Sequence, residues 1–95
     1  MESVFITAAV RTAVGRGKKD GGLASVHPVE LSAEVMRAAI REAGIEPAIL
    51  DDILWGCAMP EASQGLNVAR LSSLRAGIPV EVPSATINRR RSAPR

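Results

Sequence analysis

One cysteine, Cys57, stands in the 95 residues, so an intramolecular disulfide is excluded. One histidine, His27, accompanies it, and one His with one Cys is too small a set for a zinc site. Aromatic residues make up 2% of the chain, with Phe5 and Trp55 the only large rings and no tyrosine. A core must therefore be built from Val, Ile, Leu, Met and Ala. No stretch approaches the roughly 20 consecutive apolar residues of a membrane span. The acidic Glu2, with no long apolar run after it, does not read as a signal peptide. These absences lead to the expectation of a soluble, cytoplasmic protein.

What is present suits one small α/β domain. The apolar share of 46% is ordinary for a globular chain. The net charge of +2 is unevenly spread. Residues 1–88 hold eight Lys/Arg against ten Asp/Glu, whereas residues 89–95 hold four arginines and no acid. The body is mildly acidic and the tail Arg89-Arg90-Arg91-Ser92-Ala93-Pro94-Arg95 is basic. Such a tail can bind nucleic acid without sequence preference, but one short arm on an acidic body is a weak case for that role.

Val4 to Val10 is a near-continuous apolar, β-branched run, as in a strand buried on both faces of a parallel sheet. A loop follows to His27, with Gly15, Gly17, Gly21 and Gly22 among Arg16, Lys18, Lys19 and Asp20. From Pro28 to Ala43 the spacing predicts a helix. Glu30, Glu34, Arg37 and Arg41 make one polar stripe, and Leu31, Val35, Met36, Ala39 and Ile40 face the other way. Gly44-Ile45-Glu46-Pro47 is a stop signal. A helical turn over 47–52 and a strand over 52–58 come next. A second helix is expected over 66–76, with Asn67, Leu71, Leu74 and Ile78 in register and Val68 beside them; Gly77-Ile78-Pro79 ends it. Val82 to Asn88, with Pro83 near its start, reads as a third strand. The order βαβαβ with short connections predicts parallel strands and right-handed crossovers. In open sheets of this kind, sites form beyond the carboxyl ends of central strands, which places one just past Asn88.

Particular residues then resemble a known family. Arg11-Thr12-Ala13-Val14-Gly15-Arg16 looks like the opening of a thiolase. Gly56-Cys57-Ala58-Met59-Pro60-Glu61-Ala62-Ser63-Gln64-Gly65-Leu66-Asn67-Val68-Ala69-Arg70 is more specific, and Ala76 to Pro79 and Val82 to Arg89 continue the likeness. The resemblance spans residues 3–89 and implies a partial thiolase-like α/β fold, the incomplete N-terminal half of a thiolase N-terminal domain. It divides the chain into residues 1–88, a truncated domain, and 89–95, a basic tail outside the family pattern that is expected to be disordered. It further implies acyltransferase chemistry of fatty acid metabolism on coenzyme A thioesters: thiolysis of 3-oxoacyl-CoA, or Claisen condensation, through a cysteine acyl-enzyme. A helix N-terminus favours the thiolate and supplies oxyanion donors. Homo-oligomers are the family's habit.

By that resemblance the nucleophile follows the Asn88-Arg89 pair within two or three residues. Here Arg90, Arg91, Ser92, Ala93, Pro94 and Arg95 follow, without a cysteine. No catalytic, cofactor-binding or metal-ligating residue is therefore assigned. Cys57, after the second strand, reads as structural, and His27, extended by the following Pro28, as a loop residue. The Gly15–Gly22 loop with Lys18 and Lys19 lacks the phosphate-loop pattern. Gln64, Asn67 and Arg70 read as packing or interface residues, and the Glu/Arg stripe as a solvated face. Three readings compete: an inactive truncated or frame-shifted fragment, with the frame changing at about Arg89 or Arg90; a small non-catalytic protein that associates with a thiolase subunit through exposed sheet edges; and a basic-tailed nucleic-acid binder. The first is preferred, and the isolated chain is expected to fold poorly, or to fold only with a partner.

Overall fold

The computed structural model describes residues 2–88; the expected disordered tail, 89–95, lies outside the described residues. Helix α1 spans Pro28–Ala43, as the polar and apolar stripes require. His27 sits extended at its N-cap, and its Nδ1 accepts from the Val29 N–H at 3.1 Å. Pro28 takes the first helical position, where its missing N–H costs nothing. Gly44 ends the helix in the left-handed region at φ 68°, donating to the Ile40 and Arg41 carbonyls, and Ile45 N–H returns to Ile40. A side chain at Gly44 would carry the left-handed penalty.

A short helical turn, Pro47–Ile49, leads to strand β1, Ile53–Gly56. A second turn, Ala62–Gln64, precedes helix α2, Val68–Arg75. Gly77, at φ 87°, repeats the glycine stop, with Ile78 N–H bonded to Ser73. Strand β2, Ser84–Ile87, lies parallel to β1, with Ile53 opposite Ser84 and Gly56 opposite Ile87. Parallel pairing through a helical crossover is the arrangement the alternation predicts. The fold is thus α/β and partial, with two paired strands.

The first expected strand is the main departure. Among the described residues Val4–Val10 forms no strand: Val4 is 95% and Ile6 91% exposed. Composition suits that run to a buried strand, but a strand exists only by exchanging hydrogen bonds with a neighbour. The run takes no place in the ladder, which among the described residues contains β1 and β2 alone. Among the described residues the sheet also has no second layer. Ile53 and Trp55 turn toward the cluster of Met36, Ile78 and Val82, joined by Ile40, Leu50 and Ala76. On the opposite face Leu54 is 66% exposed, and Ile87 is exposed too.

Helix α2 is shorter than the expected 66–76 and turned. Leu66 lies outside it at φ 59°, largely exposed, and Leu71 and Leu74 are exposed as well. The buried face is instead Val68, Ala69, Ser72 and Ser73. Small residues let α2 approach α1, whose Ala33 is fully buried, while the polar side chains of α2 bind β2.

Candidate functional site: the α2–β2 seam

Asn67 begins α2 and its Oδ1 accepts from the Arg70 N–H at 3.2 Å, an N-cap bond of the expected kind. The same oxygen accepts from the Thr86 hydroxyl at 2.6 Å, and Thr86 Oγ1 in turn accepts from the Ala69 N–H at 3.1 Å. Asn67 Nδ2 donates to the Ser84 carbonyl at 3.3 Å. Further along, the Ser73 and Ser84 hydroxyls are 2.9 Å apart and share a hydrogen bond. Arg70 adds a guanidinium clamp, donating to the Val82 carbonyl at 2.6 Å and to Val80 at 2.7 Å. Two free N–H groups of the first turn of α2 and three carbonyls around β2 are thereby satisfied.

The consequence is positional. Strand β2 is held to β1 by its ladder and to α2 by this seam, so the backbone entering Asn88 is fixed on two sides. Asn67 and Arg70 were expected to pack or to form an interface, and their side chains bind the chain's own backbone. Thr86, Ser84 and Ser73 were not singled out from the sequence. A signal was present: Ser84 and Thr86 alternate on one strand face, while Asn67, Arg70 and Ser73 recur every third residue on one helix stripe. Neither pattern names the other as its partner.

The remaining candidates do not converge. The half-buried Cys57 extends the ladder, its N–H donating to Ile87 at 2.9 Å, and its thiol lies 3.7 Å from Gln64 Oε1. Gln64 also donates to the Met59 carbonyl at 3.3 Å, which folds the loop after β1 back on itself. His27 spends Nδ1 on the α1 cap and lines an open groove of about 790 Å³ with Val29, Glu30, Leu71, Leu74 and Arg75. A nucleophile needs a base within hydrogen-bond reach, and the hydrogen bonds of Cys57 and His27 lead to different partners. Lys18 and Lys19 are exposed, while the Gly21 and Ala24 N–H groups close local turns. Among the described residues no group of three or more His, Cys, Asp or Glu could hold a metal, and no helix is long and apolar enough to cross a membrane.

The polar stripe of α1 is a correction to the expected solvated face. Arg37 pairs with Glu34, and it also donates to the Ala76 carbonyl at 3.3 Å and the Arg75 carbonyl at 2.9 Å. Glu30 pairs with Arg75 at 2.5 Å. One side of the stripe is thus turned to the C-terminal end of α2, where bare carbonyls favour a cation.

The model of the thiolase N-terminal domain matches residues 4–93. A 3-ketoacyl-CoA thiolase of Yersinia pestis (strain Pestoides F) is 49% identical over 90 residues, which cover 94% of this chain and 23% of that protein. The steroid 3-ketoacyl-CoA thiolase FadA6 of Mycobacterium tuberculosis is 45% identical over 89 residues, covering 94% of this chain and 21% of that one. Among solved structures, the Bacillus anthracis acetyl-CoA acetyltransferase superposes with a TM-score of 0.77 at 39% identity, over 88% of this chain and 21% of its own. The chain spans less than a quarter of the length of these relatives. A family match over nearly the whole chain, in sequence and in fold, makes it a member of the thiolase family, matching that family's N-terminal domain.

Proposed function

We propose that this chain supplies N-terminal scaffold of a thiolase-type acyl-CoA acyltransferase, and that its 95 residues do not catalyse thiolysis by themselves. The reading rests on one observation. Strand β2 and the α2–β2 seam are intact up to Asn88, yet the residues from Arg89 to Arg95 include no cysteine where the resemblance puts the nucleophile. Cys57 does not replace it. Its thiol faces Gln64 at the end of β1, and no described hydrogen bond links it to His27. Coenzyme A thioesters, with a role in fatty acid metabolism in the cytoplasm, are then the substrates of the enzyme type and not of this chain alone. The test is thiolysis of acetoacetyl-CoA with free coenzyme A, followed by loss of the magnesium–enolate absorbance. The expected rate equals the buffer blank; turnover that disappears with Cys57→Ala overturns the reading.

A second reading has its own support. The sheet leaves backbone edges unpaired and one face open, with Leu54 and Ile87 exposed, and such edges template pairing with another chain. In this reading the chain associates with a thiolase subunit as a non-catalytic partner. Co-purification with a full-length 3-ketoacyl-CoA thiolase, reduced by Leu54→Lys, supports it; separate elution at micromolar concentrations rejects it. A nucleic-acid role rests on the four tail arginines alone, and DNA binding lost on removing residues 89–95 would support it instead.

A further inference from the structure

We draw no further inference here: the strongest candidate, the open apolar groove of about 140 Å³ between α1 and β1 lined by Val35, Met36, Ile40, Leu50, Ile53 and Trp55, is an unpartnered face, and nothing in the structure shows whether the Val4–Val10 segment, a second copy or another protein covers it.

Discussion

Thr86 shows how much one side chain can carry in a chain with few aromatics. Its hydroxyl both donates to Asn67 Oδ1 and accepts from the Ala69 N–H. Thr86→Val keeps the β-branched shape and removes both bonds, leaving the Ala69 N–H in a part-buried place without its acceptor. The expected loss is about 1–3 kcal/mol, read as a lowered urea midpoint at unchanged slope. Arg37 gives a second case. On an isolated helix surface its ion pair with Glu34 is worth a few tenths of a kcal/mol; here it also satisfies the Arg75 and Ala76 carbonyls. Arg37→Ala is expected to cost about 1 kcal/mol, clearly more than Arg41→Ala on the exposed side of α1. Equal midpoints for the two variants would show that the carbonyl contacts contribute nothing. Ser72 runs the other way. Its hydroxyl is fully buried without a partner among the described residues, so Ser72→Ala is expected to leave stability unchanged or raise it by up to about 1 kcal/mol.

At the scale of elements, α1 was fully legible. Pro28, the two stripes and Gly44 agree, and the helix runs from Pro28 to Ala43 as those signals state. The glycine echo was legible too: Gly44 and Gly77 both adopt positive φ, and the isoleucine after each sends its N–H back to the preceding turn. Gly44→Ala places a Cβ in the left-handed region with no neighbouring atom in the way. A loss of about 1 kcal/mol from backbone strain alone is expected, measurable as faster amide exchange in the last turn of α1. The burial of α2 was not legible. Its leucines fit an amphipathic helix, and nothing local says that Ala69, Ser72 and Ser73 will be the inner face. That choice depends on Ala33 across the helix–helix contact and on Ser84 and Thr86 across the helix–sheet contact. Each is distant in sequence, and periodicity reports only what lies on one element.

Taken whole, the molecule has a small core. Met36, Ile78 and Val82 are its buried centre, while Val4, Phe5, Ile6, Leu54 and Ile87 stand exposed. Exposed apolar segments beside unpaired strand edges favour association. The purified chain is expected to show light scattering that rises with concentration, and Ile6→Lys together with Leu54→Lys is expected to lower it. A monodisperse monomer at high concentration would contradict this.

By itself the sequence determined the α/β class, the α1 boundaries, the glycine stops and the thiolase resemblance. Each is carried by residues close together in the chain, through propensity, capping chemistry and motif order. It also determined that the stretch after Asn88 contains no cysteine. Only the tertiary structure decided that Val4–Val10 stands outside the two-stranded ladder and which face of α2 is buried. It also showed that Asn67, Arg70, Ser73, Ser84 and Thr86 form one seam. These are pairings between distant segments. A strand or a buried polar group is defined by its partner as well as by its own residues, and the partner is chosen by the geometry of the whole.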